Sequence, residues 1–185
     1  MPRKNKLIIA ILFLLSIACH NGPQSKKEME AYLHLPESGG RVKITKGLYT
    51  VSMAYRPVEL LQGMEESNEV AVFVLDISQK GENPVNFLAA DEARFKKAIN
   101  QLSFNQGETY YAVTASGDRI MPLQTRMLRT FDYTDKSRVL ITYPSEVITK
   151  PGTSFYFHSP FDGEQYLFKY QHKDLEKIKN LAQNL

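Results

Sequence analysis

Three side chains near the C-terminal end stand close enough in sequence to act together: His158, Asp162 and Glu164. An imidazole and two carboxylates can hold a divalent metal or pass a proton, provided a turn folds them together. Ser159-Pro160-Phe161-Asp162-Gly163 reads as such a turn, between strands from Thr153 to His158 and from Glu164 to Tyr170. The plainer reading is that Asp162-Gly163 makes the turn and the other two are solvated strand ends. Glu65-Glu66 offers a second carboxylate pair, as sugar hydrolysis needs, but adjacent strand residues point to opposite faces and a solvated loop accounts for them. Arg126, Arg129 and Arg138 could form a cationic patch for phosphate or lipid headgroups. Asp132 and Asp135 lie among them, so local ion pairing is the simpler account. The aromatic residues pose the larger question. Tyr156 shares a strand face with His158, opposite Phe155 and Phe157, while Tyr166, Phe168 and Tyr170 share a face of the next strand. One set must be core; the other, if exposed, makes a strip suited to a sugar or peptide.

The motifs of better-defined chemistry are missing. There is no G-x-S-x-G elbow, phosphate-binding loop, dinucleotide fingerprint or H-E-x-x-H pair. His20 and His34 lie in or just beyond an N-terminal tether, and His172 separates the last strand from the last helix. We therefore expect no catalytic residue, metal or cofactor, and take His158, Tyr156, Asp162 and Glu164 as the candidates for ligand or partner contact.

The most specific signal is N-terminal. Met1 to Lys6 is positively charged, Leu7 to Leu15 is unbroken apolar sequence, and Ser16-Ile17-Ala18 leads to Cys19, the only cysteine among 185 residues. A helix from Leu7 to Cys19 would reach roughly 20 Å, short of the roughly 30 Å hydrocarbon core, so the segment reads as a signal peptide. Ala18 before the lone cysteine resembles a bacterial lipobox, with Ser16 in place of the usual leucine. The resemblance implies diacylglycerol on the Cys19 sulfur, cleavage before Cys19 and acylation of the new amino group. Two or three acyl chains, at ~0.8 kcal/mol per buried CH₂, anchor a protein for good. Under that reading the cysteine is unavailable as a nucleophile. His20, where an aspartate would favour inner-membrane retention, points to the outer membrane, and a periplasm-facing position is expected.

Cleavage removes Arg3, Lys4 and Lys6, taking Lys+Arg from 23 to 20 against 20 Asp+Glu. The sequence pI near 8.8 thus belongs to the precursor. The mature chain is neutral, which argues against a nucleic-acid partner recruited by bulk charge. One cysteine also excludes an internal disulfide framework.

The elements that must position these residues are mostly strands. Ser25 to Glu28 fits a capping box opening a short helix that ends at Pro36. Alternation then marks strands through Val42 and Ile44, and from Tyr49 to Tyr55. Glu69 to Gln79 is apolar on both faces and reads as a central strand. Asp91 caps a helix carrying Phe95, Ala98, Ile99 and Leu102, after which Leu102 and Phe104 suggest a short strand. Thr109 to Ala115 and Asp118 to Leu123 read as a hairpin whose second strand, containing Pro122, belongs at an edge. Arg138 to Tyr143 and the last hairpin follow, then a helix through Leu175, Ile178 and Leu181. This pattern predicts a mainly β fold: a single antiparallel β-sandwich, immunoglobulin-like, with two or three short helices. An eight-stranded calycin-like barrel is the alternative, although the chain lacks the tryptophan usual in its lipocalin version.

The lipobox, the helix ending in Pro36-Glu37-Ser38-Gly39-Gly40, the strand before Arg56-Pro57 and the closing Lys173-Asp174-Leu175-Glu176 together resemble a diffuse group of uncharacterised bacterial envelope lipoproteins. The resemblance brings no catalytic or binding residues. The expected organisation is a cleaved signal peptide over 1–18, an anchor, tether and short helix over 19–40, and a sandwich with a C-terminal helix over 41–185. The expected role is a non-enzymatic binding or assembly module tied to the membrane through Cys19, with an envelope protein or glycan as possible partner. A receptor for a small ligand or glycan is the alternative, and a hydrolase the third.

Overall fold

The computed structural model describes residues 22–61, 69–104, 106–128 and 134–185. The apolar leader, Cys19, His20, Glu65-Glu66, Arg129 and Asp132 lie outside the described residues.

Two antiparallel sheets pack face to face, forming a β-sandwich and not a closed barrel. The first contains β1 (Arg41–Lys46), β2 (Tyr49–Arg56), β3 (Val70–Gln79), β7 (Ser137–Pro144) and β6 (Gln124–Leu128), in the order β1-β2-β3-β7-β6. The second, ordered β5-β4-β8-β9, contains β5 (Arg119–Ile120), β4 (Tyr110–Val113), β8 (Ser154–His158) and β9 (Gln165–Lys169). Period-two alternation sends Val51, Met53 and Tyr55, Phe73, Leu75 and Ile77, and Val139, Ile141 and Tyr143 inward from the first sheet. Tyr110, Phe155, Phe157, Tyr166 and Phe168 meet them from the second. Phe73 is the hub, with ring centroids 4.6 Å from Phe155, 5.5 Å from Tyr55, 5.7 Å from Tyr170 and 6.1 Å from Tyr143. As expected of a strand apolar on both faces, β3 lies in the middle of its sheet, and Val72 on its outer side is also buried.

The helices close the ends. Helix α1 (Lys26–His34) is capped by Ser25, whose Oγ accepts the Glu28 N–H at 3.2 Å. The reciprocal arm is displaced by one residue: Glu28 Oε2 accepts the Gln24 N–H, not that of Ser25. Asp91 caps α2 (Glu92–Ser103) through the Arg94 N–H. One-turn helices α3 (Gln106–Thr109) and α4 (Glu146–Thr149) follow, and α5 (His172–Gln183) ends the chain with Leu175, Ile178 and Ala182 buried. The Gly39-Gly40 turn lets α1 meet α5. Gly39 has φ +67°, and a Cβ on Gly40 would lie 2.6 Å from Ile178 Cδ1.

Two expected strands are corrected. Leu102 and Phe104 do not begin one: Leu102 belongs to the buried face of α2, and Phe104 is that helix's C-cap. Asp118 to Leu123 pairs only over Arg119–Ile120, at the sheet edge. Pro122, without an N–H, falls where the chain leaves the second sheet, and Leu123 N–H already donates to Thr142 O in the first. The strand that follows, β6, is one the sequence reading misses.

On the outer side of β3, Asp76 is 8% exposed and accepts from Arg138 Nε at 2.6 Å and Nη2 at 3.1 Å, with Lys136 Nζ at 3.5 Å. Asp76→Ala leaves that guanidinium half-buried and unpaired, and is expected to cost about 2–3 kcal/mol. Asp76→Asn, which keeps an acceptor without the charge, is expected to fall between the two. Urea midpoints at constant slope measure both.

Candidate functional site: the outer face of the second sheet

Alternation resolves which aromatics are core. Phe155 and Phe157 on β8 and Tyr166 and Phe168 on β9 face inward, leaving Tyr156, His158, Gln165, Leu167 and Lys169 outside. On β4, Tyr110 and Ala112 are buried and Tyr111 faces out. Tyr170 lies past the end of β9, and its hydroxyl donates to Met53 O at 2.6 Å.

Register brings the outward residues together, since Tyr111 pairs with Tyr156, Tyr156 with Leu167, and His158 with Gln165. The Tyr111 and Tyr156 rings stack at 4.9 Å and 8°, and the Arg119 guanidinium lies 3.8 Å from the Tyr111 centroid. Arg119 also donates to the Gly107 carbonyl, which fixes its plane over the ring. His158 borders the stack, its ring 6.1 Å from Tyr111. Gln165 Nε2 lies 2.8 Å from both the Tyr111 hydroxyl and His158 Nε2. Rings stacked across neighbouring strands cover one another's faces. Tyr111, held between Tyr156 and Arg119, offers solvent its edge and hydroxyl, bordered by His158 and the exposed Leu167.

The other two candidates go elsewhere. Asp162 Oδ1 accepts the Glu164 N–H at 3.2 Å within the turn, and its Oδ2 accepts the Tyr166 hydroxyl at 2.6 Å. Burial, with that carboxylate beside it, raises the Tyr166 phenol well above its ordinary value. Glu164 pairs with Lys46 at 3.0 Å, and the same Nζ donates to Gln165 O, tying β1 to β9 across the seam. Asp162 and Glu164 thus face a shallow depression of about 360 Å³ with Lys46, Leu48 and Tyr49, away from His158. Among the described residues no three His, Cys, Asp or Glu side chains are grouped to hold a metal.

Of the arginines, Arg126 and Arg138 do share a sheet face, yet the partner of Arg138 is Asp76, 62 residues away, and not a neighbouring aspartate. A cleft of about 260 Å³ lies between α2 and the last hairpin, with Arg94, Lys97, Gln101 and Ser159 in its wall. The gap where α4 and α5 meet the sandwich holds only about 10 Å³, room for about one water. No helix among the described residues is long and apolar enough to cross a membrane.

No family model, curated protein or solved structure matches the chain. The site therefore rests on geometry alone. Tyr156 and His158 belong to it; Tyr111, Arg119 and Gln165 were missed. Tyr111 and Tyr156 lie 45 positions apart, and only the β4–β8 register joins them. The one local hint is that Tyr110 and Tyr111, adjacent on a strand, point to opposite faces, so one of them is presented outward.

Proposed function

We propose that this chain is an envelope lipoprotein, anchored through lipid on Cys19 at the outer membrane and facing the periplasm. It works without catalysis, binding a protein partner through the outer face of the second sheet. The observation that carries the reading is the Arg119–Tyr111–Tyr156 stack, bordered by His158, Gln165 and Leu167. Tyrosine and arginine held rigid on a sheet are the residue types that anchor protein interfaces. A sugar docks on an open ring face, and both faces of Tyr111 are taken, by Tyr156 and Arg119, so a polypeptide fits better than a glycan. A small-ligand receptor needs a largely apolar chamber, whereas the described depressions of about 260 and 360 Å³ carry Arg94 and Lys97, and Lys46, Asp162 and Glu164, in their walls. Tethering adds to affinity by confining the module beside any partner on the same membrane.

The test has two parts. Fatty-acid labelling of cells is expected to mark the wild-type chain and not Cys19→Ala. Quantitative co-purification from detergent-solubilised membranes is then expected to recover a partner that the Tyr111→Ala/Tyr156→Ala variant loses by about thirtyfold, as two interface anchors of ordinary strength imply. Unlabelled wild-type protein overturns the anchor. Equal recovery by the double variant overturns the binding face.

A further inference from the structure

The outer face of the first sheet is chemically unlike that of the second. Arg41 pairs with Ala54, Ala54 with Val74, Val74 with Leu140, and Leu140 with Arg126, so one row across all five strands begins and ends in arginine. The adjacent row runs Lys43, Ser52, Asp76, Arg138 and Leu128. Arg56 extends the same side of β2. Lys136, just before β7, reaches over Asp76. The mature chain has as many acids as bases, so this concentration on one face is segregation of charge and not a reflection of composition.

Asp76 is committed to Arg138 and Lys136. Among the described residues no carboxylate lies within ion-pair distance of Arg41, Lys43, Arg56 or Arg126. Arg41, Lys43 and Arg126 are exposed, while Arg56 is half-buried. Burial holds the Arg56 guanidinium below its ordinary value; Arg41 and Arg138 add to this, and Glu30 on α1 and Asp76 oppose it. His34, at the end of α1, is lowered by burial and by Arg56 and Arg41, which places it beside the same cluster. Cations without an ion-pair partner among the described residues, set around buried Ala54 and half-buried Val74 and Leu140, match a plane of negative charge.

We propose that this face is a docking surface for an anionic phospholipid bilayer. The described residues begin at Gly22, which lies against Leu181 of α5, three residues after Cys19. Three residues span at most about 11 Å, so a lipid on Cys19 leaves the domain within reach of headgroups. The inference rests on the proposed anchoring only for bringing the bilayer near. Once docked, the first sheet lies on the membrane and the Tyr111–Tyr156 face points away from it. The plane of the sheet favours a surface over a flexible polyanion.

Every core residue among the described residues lies at Met29 or later, so the chain from His20 onward keeps that core without the lipid. Co-sedimentation of that chain with phosphatidylglycerol–phosphatidylcholine vesicles is expected at low salt, with loss in high salt and with phosphatidylcholine alone. Each exposed cation contributes about fivefold, so Arg41→Gln/Lys43→Gln/Arg126→Gln is expected to weaken binding about a hundredfold, with an unchanged thermal melt. Lys26→Gln/Lys27→Gln, on α1 outside the sheet, is expected to bind nearly as wild type. Equal binding by the triple variant overturns the proposal. So does salt-insensitive binding, loss confined to the α1 variant, or binding to heparin without binding to vesicles. None of these outcomes depends on whether Cys19 is lipidated, so failure here is separable from failure of the anchor.

Discussion

Raising the pH above 10 is expected to unfold the domain in one steep, cooperative step. Tyr55, Tyr110, Tyr143 and Tyr166 are 0–3% exposed, and burial pushes every one of these phenols well above its ordinary value. The Tyr110 hydroxyl donates to Leu102 O and that of Tyr166 to Asp162, bonds that require the proton to stay. In the unfolded chain each ionises near its ordinary value of about 10. Above that pH the folded state therefore holds more protons than the unfolded state, and stability falls as pH rises. Below pH 10 the contribution is fully present. With Tyr170, whose phenol burial raises likewise, these groups give a slope of at least about 5 kcal/mol per pH unit. A domain of ordinary stability, about 5–15 kcal/mol, is then exhausted within about one to three pH units. Phenolate absorbance and far-UV circular dichroism, followed together, are expected to change in one transition. Tyr143→Phe removes a hydroxyl without a hydrogen-bond partner among the described residues, and is expected to make that slope shallower by about 1.4 kcal/mol per pH unit. Phenolate absorbance reaching its full amplitude while the sheet signal persists would count against the buried network.

Phe73→Ala is expected to be the most damaging single substitution in the core. The ring is fully buried and packs against Tyr55, Tyr143, Phe155 and Tyr170, which come from both sheets and from the segment after β9. Truncating a buried phenylalanine costs about 3–5 kcal/mol, and this one also loses several aromatic pairs. Little around it can collapse, because the lost volume is bounded by rings on opposite sheets. A value at the upper end is expected, read as a shift in urea midpoint with the slope preserved. Phe73→Leu, which refills most of the space, is expected to recover more than half of the loss. A cost under about 1 kcal/mol for the alanine variant would show that the two sheets do not depend on this contact.

Much of the architecture was legible because its causes are local. Val70 to Gln79, apolar on both sides, could only be an interior strand, and Ser25 and Asp91 marked helix starts by their own chemistry. The losses have a common origin in partners that are distant along the chain. Gln124-Thr125-Arg126-Met127-Leu128 shows little alternation by itself and is a strand because β7 offers it an edge. Leu102 and Phe104 looked like period two where a helix was ending. Asp76 sits inside an apolar run that gives no sign of the arginine 62 residues later. The candidate site divided for the same reason. His158 and Tyr156 faced out as strand alternation allowed, whereas Asp162 and Glu164 were drawn to Tyr166 and Lys46 by contacts that only the folded hairpin creates.

The glycine pair that ends the first helical segment has a mechanical consequence. With Gly22 resting on Leu181 and Gly40 on Ile178, the N-terminal helix is clamped at both ends to the last one. Under the proposed anchoring, a pull on Gly22 is delivered to the C-terminal helix before it reaches either sheet. Under load, that pair of helices would be the first part of the domain to peel.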